Sequence, residues 1–306
     1  MLGETNSISS QFWLALVVGN TRLHWGYFYQ ESCLSRWHTL HLAKADLEQL
    51  QLAGFLAAGW QSLAIWDMEL GPPDAERFPR RPLAASDIWI ASAVPQQSDL
   101  WMAACPQDVP QHDQSAVLPY LVERSHIPLK NIYPTLGIDR AINLLGAGQL
   151  VGWPTVVIDA GTAITLTAGV ERAVYGGAIL PGLRLQSEAL AEKTGALSPF
   201  VMNWSARVGQ VQSADADSLP ARWAMDSAGA IASGLTYGIT ATLIDYLNDW
   251  WDRFPASTAI FTGGDAPYLY ACLNQRTPEI ASRVLLNSDL MFNGMSAYRK
   301  ACLKKI

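Results

Sequence analysis

One stretch near the middle of the chain has the residue types that can hold a phosphate group and a cation. The β-branched segment 155–158 runs into Asp-Ala-Gly-Thr at 159–162, and a second strand-like segment follows at 163–167. This pattern predicts a β-hairpin with a glycine at its tip. Gly161 would let the backbone approach a bulky anion, and Asp159 is a potential cation ligand. The stretch therefore suits a polyphosphate that carries a metal ion, although an ordinary hairpin with an Asx turn has the same pattern.

A similar stretch lies near the N-terminus. Residues 14–25 again have the pattern of an apolar strand, a turn at Gly19, Asn20 and Thr21, and a returning strand. Gly19 aligns with Gly161 at an offset of 142 residues. Two similar hairpins half a chain apart predict a duplicated architecture with a binding site between the two copies.

Polar or glycine residues also mark the ends of two other predicted elements. Asp139 and Arg140 precede a helical run at 141–150, which places them at a helix N-terminus, where an acid can also serve simply as the N-cap. A strand pattern at 259–261 ends in Thr-Gly-Gly-Asp at 262–265 before a further helix. A Gly-Gly turn at the carboxyl end of a strand is where α/β sheets bind ligands, although a tight turn alone needs no ligand.

The remaining segments alternate between strand and helix patterns, which predicts an α/β fold with partly parallel sheets. Further strands are predicted at 27–42, 62–66, 88–94 and 175–182. Helices are predicted at 45–55, at 98–104 with Ser98 as the cap, at 118–125, 183–193 and 228–251, and from 266. Loops are predicted at 71–82 and 204–223, the second of which we interpret as a surface loop rather than a lid.

Composition limits the class of protein. Of the 306 residues, 50% are apolar and only 16% are charged, which predicts two folded domains rather than disorder. The net charge of −6 and the pI near 5.3 argue against nucleic acid or an anionic membrane as the main partner. The five histidines have no metal-ligand spacing with the cysteines, and most are interpreted as surface or packing residues.

The cysteines and the N-terminus predict a soluble cytoplasmic protein. The four cysteines lie far apart and include no CxxC pair, as expected of reduced, mostly structural thiols. The N-terminal segment lacks the basic residues of a secretory signal, and no apolar run of membrane-spanning length is evident. The predicted organisation is a loose leader at 1–11, an N-terminal domain at 12–150 and a C-terminal domain at 151–306.

Four segments in a fixed order make the pattern specific. They are Gly-Asn-Thr-Arg at 19–22, Leu-Gly-Ile-Asp-Arg at 136–140, Asp-Ala-Gly-Thr-Ala-Ile-Thr at 159–165 and Gly-Gly-Ala-Ile-Leu-Pro-Gly at 176–182. With them the chain, from about Leu14 to near its end, resembles the type III pantothenate kinase family of the actin-like sugar-kinase superfamily. The resemblance implies two actin-like, ribonuclease H-like α/β domains with duplicated phosphate-binding hairpins and an interdomain cleft.

The resemblance implies transfer of the ATP γ-phosphoryl group to the primary hydroxyl of pantothenate, the first step of coenzyme A biosynthesis. Asp139 matches the catalytic aspartate, which would accept the hydroxyl proton as the oxygen attacks. The residues implied to bind pantothenate are Tyr133, Gly137, Ile138, Asp139, Arg140 and Ser227. The residues implied to bind ATP are Val18, Gly19, Asn20, Thr21, Arg22, Leu23, His24, Thr162, Gly263 and Gly264, the last two by analogy with the superfamily.

Cofactors and subunit organisation also follow from the resemblance. Asp159 matches the position that holds a monovalent cation, K⁺ or NH₄⁺, while Mg²⁺ would arrive bound to ATP. Members of the family are homodimers with the substrate pocket at the subunit interface, and the same is implied for this chain.

The sequence departs from the family pattern at three positions. Val17 stands where the family has aspartate, so a carboxylate that could assist Mg²⁺ is missing. Tyr133 lies four residues before Gly137, whereas the family tyrosine lies seven before that glycine. The family Asn-Thr pair ahead of the long helix is Asp-Ser here, and Ser227 keeps the hydroxyl.

Two alternatives to a pantothenate kinase remain open. One is a non-catalytic relative that binds nucleotide or pantothenate for regulation, which Val17 favours and the intact Asp139 and Asp159 oppose. The other is a kinase of the same superfamily that acts on a different small hydroxyl substrate.

Overall fold

The computed structural model describes residues 11–52, 87–104, 118–195, 197 and 219–304. The strands are β1 (Phe12–Val18), β2 (Leu23–Tyr29), β3 (Ser32–Thr39), β4 (Asp87–Ser92), β5 (Leu118–Leu121), β6 (Thr155–Ala160), β7 (Ala163–Val170), β8 (Ala173–Pro181), β9 (Thr258–Thr262) and β10 (Val284–Leu286). The helices are α1 (Lys44–Leu52), α2 (Pro95–Ala104), α3 (Ile138–Leu150), α4 (Leu183–Lys193), α5 (Ser227–Arg253), α6 (Ala266–Arg276), α7 (Pro278–Ala281) and α8 (Leu290–Leu303).

The chain divides by its contacts into two units. The first comprises Met1–Pro128, Tyr133–Ile142 and Met291–Ile306, and the second comprises Leu129–Ile132 and Asn143–Leu290. Contacts therefore divide α3 after Ile142 and group α8 with the first unit, whereas the sequence placed the boundary at 150 and α8 in the second domain. The predicted strand at 62–66, the loop at 71–82 and most of the loop at 204–223 lie outside the described residues.

The first unit is built on a five-stranded mixed sheet in the order β3-β2-β1-β4-β5. Strand β2 is antiparallel to both β1 and β3, while β4 is parallel to both β1 and β5. All but the first residue of β1 are buried, because the strand is covered on both faces, and this explains its unbroken apolar sequence.

One face of this sheet packs against α1 and α2, and the other packs against α8. Leu14, Leu16, Trp25 and Trp101 are among the buried residues of the first face. On the second face α8 lies so close to β2 that a Cβ added to Gly26 would lie 2.8 Å from the ring of Phe292. The sheet is therefore covered on both sides.

A buried ion pair fixes α8 to the first residue of β4. Arg299 Nη2 lies 3.4 Å from Asp87 Oδ2, and the two side chains are 7% and 13% exposed. Burial raises the pKa of the Asp87 carboxyl, although the Arg299 guanidinium opposes this shift. The backbone N–H of Glu123 donates to Tyr298 Oη at 3.1 Å and adds a second polar link to α8.

Two local predictions in the first unit are wrong. The segment predicted as a helix at 118–125 forms strand β5 and a short 3₁₀ turn, because its backbone pairs with β4, and Pro119 is tolerated on this edge strand. Helix α2 begins at Pro95 rather than after Ser98, because proline suits the first helical position, where no N–H is needed. The Ser98 hydroxyl instead donates to the carbonyl of Val94 at 3.5 Å.

The second unit repeats the topology of the first. Its sheet has the order β10-β9-β6-β7-β8, with β7 antiparallel to both β6 and β8, and β9 parallel to both β6 and β10. Read from the other edge, this is the strand order and direction of the first sheet. The duplication predicted from the two hairpins is confirmed, and the chain has two actin-like α/β domains.

Helices cover both faces of the second sheet. On one face α5 and α6 pack against Ile158, Leu166 and Phe261. On the other face Leu144 of α3 approaches Gly169 of β7. Helix α5 is long enough to cross a membrane, and one 18-residue window of it has a mean hydropathy of 1.2. Its apolar residues, however, form part of this core.

Candidate active site

The turn between β1 and β2 is a four-residue loop held at its first residue. The N–H of Gly19 donates to the Arg22 carbonyl at 3.0 Å. The Gly19 carbonyl accepts a hydrogen bond from His41 Nε2 at 2.9 Å. Because both backbone groups of Gly19 are engaged, the start of the loop has a fixed orientation.

A pair of imidazoles lies beside this loop. His24 and His38 are cross-strand neighbours on β2 and β3, and their Nδ1 atoms are 2.9 Å apart. Burial lowers the pKa of His24 to about 3, with additional effects of His38 and Arg22. Burial also lowers the pKa of His38 to about 4, with additional effects of Arg22 and Arg36. Both rings are therefore neutral at neutral pH.

The contacts of His38 and His41 were not predicted from the sequence, because the two residues lie outside every motif. Their positions follow from the pairing of β2 with β3, which places His38 opposite His24. The departure at Val17 lies in the same place, since Val17 is 4% exposed and pairs with His24 across β1 and β2.

The turn between β6 and β7 is shorter and is held from the end of β8. The N–H of Gly161 donates to the Ala163 carbonyl at 3.1 Å. The N–H of Gly182 donates to the Thr162 carbonyl at 3.0 Å. A side chain at Gly182 would collide with the Gly161 carbonyl oxygen, so glycine is required for this approach.

Asp159 lies at the end of β6 among oxygen atoms from neighbouring elements. Its Oδ2 accepts a hydrogen bond from Asn143 Nδ2 at 2.9 Å. Thr262 is its in-register partner on β9. Asn143 Oδ1 and Thr262 Oγ1 are buried and have no hydrogen-bond partner among the described residues. Oxygen atoms of this kind are the ligands that a hard cation prefers. The Asp159 carboxylate and these two oxygens therefore fit a bound K⁺ or NH₄⁺.

The Gly-Gly turn after β9 closes around this carboxylate. Gly263 has φ +92°, a conformation that favours glycine, and a Cβ there would lie 2.5 Å from Asp159 Oδ1. The N–H of Asp265 donates to the Ala160 carbonyl at 2.9 Å. The structure therefore brings Asp159 and Gly263 together at the carboxyl ends of the parallel strands β6 and β9, which is where α/β sheets bind ligands.

Asp139 lies in the first turn of α3. The Ala141 N–H donates to the Gly137 carbonyl at 3.1 Å and opens the helix. The Asp139 carboxylate lies over Gly137, where a Cβ would be 2.3 Å from its Oδ1. The glycine of the motif thus makes room for the carboxylate, and the helix N-terminus favours its negative charge.

Two arginines hold the loop that leads into this motif. Arg140 Nη1 donates to Tyr133 Oη at 3.1 Å. Arg124 Nε donates to the Leu136 carbonyl at 3.0 Å, and its Nη1 donates to the Pro134 carbonyl. Tyr133 is therefore placed beside the motif despite its changed spacing. Arg124 carries no sequence signal, because its partners are backbone carbonyls.

Ser227 is the first residue of α5 in the second unit. The preceding Asp226 caps the helix, with its Oδ1 accepting from the Gly229 N–H at 2.8 Å. The carboxylate that replaces the family asparagine therefore keeps a cap of comparable strength.

The site residues fall into groups within each unit. The first unit holds residues 18–24, Tyr133 and residues 137–140. The second unit holds Asp159, Thr162, Ser227 and the two glycines after β9. A repeated sheet with a glycine turn after the first strand of each copy is the arrangement of the actin-like phosphotransferases.

Comparison with known proteins identifies the family. A sequence model of type III pantothenate kinase matches residues 13–248. The chain belongs to the type III pantothenate kinase family. A protein of that name from Nostoc sp. is 37% identical over 289 residues, covering 92% of each chain. Another from Synechococcus elongatus is 38% identical over 291 residues, covering 95% of this chain and 97% of its own.

A solved structure with the same fold is that of a Campylobacter jejuni protein described as a Baf family transcriptional activator. It is 18% identical, covers 95% of this chain and 99% of its own, and superposes with a TM-score of 0.52. At this identity the similarity shows the shared fold alone.

Proposed function

We propose that this chain is an ATP-dependent kinase that phosphorylates the primary hydroxyl of pantothenate, the first step of coenzyme A biosynthesis. The observation that carries the proposal is the match to the family over residues 13–248, which includes the motif around Asp139. The curated relatives are named as kinases, so the non-catalytic alternative suggested by Val17 is not favoured.

In the proposed reaction the hydroxyl oxygen of pantothenate attacks the γ-phosphorus of ATP. Asp139 accepts the hydroxyl proton, the bond to the β,γ-bridging oxygen breaks, and ADP leaves. Arg140 is 7% exposed and donates to Tyr133, which supports an orienting role for its guanidinium. Tyr133 is 37% exposed, so its ring is accessible to pantothenate.

The two glycine turns are proposed to bind the phosphates of ATP. Residues 18–24 would contact them in the first unit, and Thr162 in the second, with the adenosine near Gly263 and Gly264. Mg²⁺ would arrive with ATP and bridge phosphate oxygens.

A monovalent cation, K⁺ or NH₄⁺, is proposed to bind at Asp159. The unpartnered oxygens of Asn143 and Thr262 support this position. The cation would partly neutralise the phosphate charge.

The remaining assignments rest on the family. We propose a cytoplasmic homodimer in which the pantothenate pocket lies at the subunit interface. The hydroxyl of Ser227, at the start of α5, is proposed to contact pantothenate.

The test is ADP release by the full chain with ATP, Mg²⁺, K⁺ and pantothenate. Asp139→Asn should lower kcat by about a hundredfold to ten-thousandfold, because the amide cannot accept the proton. Asp249→Asn is the matched control, since Asp249 pairs with Arg253 on the exposed side of α5, and its activity should be unchanged.

The outcomes separate the alternatives. Pantothenate-dependent turnover in wild type that Asp139→Asn abolishes supports the proposal. Nucleotide binding without turnover in wild type would instead support a regulatory binder with Val17 as its mark. Turnover with another hydroxyl compound but not with pantothenate would indicate a different substrate.

A further inference from the structure

Three histidines surround the first glycine turn, and the family match gives no role to two of them. We propose that His38 and His41 are positioning residues for ATP binding, His41 by holding the Gly19 carbonyl and His38 by fixing the tautomer of His24. In that tautomer His24 presents an Nε2–H donor to the phosphates. The inference rests on the proposed ATP site in this turn.

His41 acts on the backbone of the loop. A carbonyl oxygen only accepts, so the 2.9 Å contact between Gly19 O and His41 Nε2 requires a proton on Nε2. His41 follows β3, the third strand of its sheet. In the second unit Gly182 follows β8, the third strand of that sheet, and its N–H likewise donates to a carbonyl of the glycine turn. In each unit, therefore, a donor just after the third strand along the chain holds a carbonyl of the glycine turn.

The pair His24–His38 has one proton to share. With 2.9 Å between the two Nδ1 atoms, one ring must donate and the other must accept. If His38 donates, neutral His24 carries its proton on Nε2. If His24 donates, its Nε2 has only a lone pair. The state of His38 therefore decides whether His24 offers a donor or an acceptor.

His24 Nε2 is directed at the loop. It lies 3.6 Å from the position that a Cβ on Gly19 would occupy. A phosphate oxygen in the loop would need a donor there, and an acceptor would repel it. Bound ATP should therefore select the arrangement in which His38 donates to His24.

In the native state, the proposed contact of His24 with phosphate does not depend on a positive charge on the ring. Burial and the nearby arginines Arg22 and Arg36 keep both rings neutral, so the contribution of His24 is an oriented hydrogen bond. Val17, the cross-strand neighbour of His24, has no carboxylate that could compete for the donor.

The first experiment compares His38→Leu with His38→Asn. An asparagine amide places a donor where Nδ1 of histidine stands, whereas leucine removes the donor. His38→Leu should raise the KM for ATP about tenfold or more, with the KM for pantothenate unchanged. His38→Asn should return the KM for ATP to within about threefold of wild type. Equal effects of the two substitutions, or an equal rise in both KM values, would overturn the role of His38.

The second comparison is His41→Leu with His41→Gln. The glutamine amide can reach the Gly19 carbonyl as Nε2 does, so it should restore most of the ATP affinity that leucine loses. A loss of thermal stability in both variants without a change in the KM for ATP would show that His41 is only structural.

A measurement on wild type keeps the proposal testable if a variant fails to fold. Nitrogen-15 shifts of the histidine rings, recorded with the non-hydrolysable analogue AMPPNP, report which nitrogen carries the proton. The proposal requires protonated Nε2 and bare Nδ1 on His24, with protonated Nδ1 on His38. The reverse pattern in the complex would refute it. Failure of the proposed function would look different, because wild type would then release no ADP with pantothenate, whether or not it binds AMPPNP.

Discussion

Gly137→Ala tests how strictly the reaction depends on the position of one carboxylate. A Cβ at 137 would lie 2.3 Å from Asp139 Oδ1, whereas real Cβ contacts essentially never fall below 3.0 Å, so the oxygen must move by at least 0.7 Å. The atom that must yield is the end of a side chain, so the backbone and the fold should be kept. A misplacement of about 1 Å in a catalytic group can cost about a hundredfold in rate.

We therefore expect kcat to fall about a hundredfold, which corresponds to about 2.7 kcal/mol in the activation free energy. The assay is steady-state ADP release with varied pantothenate, together with a thermal melt. Gly234→Ala is the control, because a Cβ there meets no atom within 4 Å on the exposed side of α5. It should leave kcat unchanged and raise stability slightly, since alanine favours a helix over glycine by about 1 kcal/mol.

Two results would refute this reasoning. Full activity of Gly137→Ala, measured beside an inactive Asp139→Asn, would show that the carboxylate works from more than one position. A large fall in melting temperature would show that Gly137 is needed for the fold rather than for placing Asp139.

Three further predictions concern stability. Arg299→Met should lower the unfolding free energy by about 3–5 kcal/mol, because it leaves the buried Asp87 carboxylate without its ion-pair partner. Lys300→Met, which removes an exposed ion pair with Glu31, should lower it by less than about 1 kcal/mol. Urea titration measures both changes. Gly263→Ala should destabilise the chain and weaken activation by K⁺, whereas Gly264→Ala, with open space at its Cβ, should melt like wild type. Burial lowers the pKa of His24 from 6.5 to about 3, so below pH 6.5 the unfolded chain binds a proton that the native chain does not. The unfolding free energy should therefore fall from pH 7 to pH 5, and His24→Phe should flatten that slope in urea titrations.

Elements with local signals were predictable from the sequence. Helix α4 begins and ends where predicted, and α6 begins at Ala266, because glycine, proline or a capping residue marks each start. The two hairpins were recognisable because each has an apolar strand pattern on both sides of a glycine turn. Asp159 and the glycines at 263 and 264 could each be recognised as candidate ligand residues, because each stands at the end of an apolar strand pattern.

Features that depend on distant partners were not predictable. Strand β5 is short, contains Pro119 and has the apolar spacing of a helix, and only its pairing with β4 makes it a strand. Arg124 acts through backbone carbonyls, which leave no trace in residue types. His38 gains its partner from strand register, and register is a property of two segments rather than one.

The position of α8 has a consequence for synthesis on the ribosome. The first sheet begins at Phe12, but the helix that covers its second face spans Leu290–Leu303, at the far end of the chain. Trp13 and Phe28 therefore stay uncovered until almost the whole polypeptide has been synthesised, because Phe292 and its neighbours in α8 cover them. The second unit, which ends at Leu290, can complete its core earlier. We therefore expect the first unit, whose sheet is synthesised first, to finish folding last. A stop codon a few residues before α8 should leave a wide aromatic surface of this sheet exposed to chaperones and proteases.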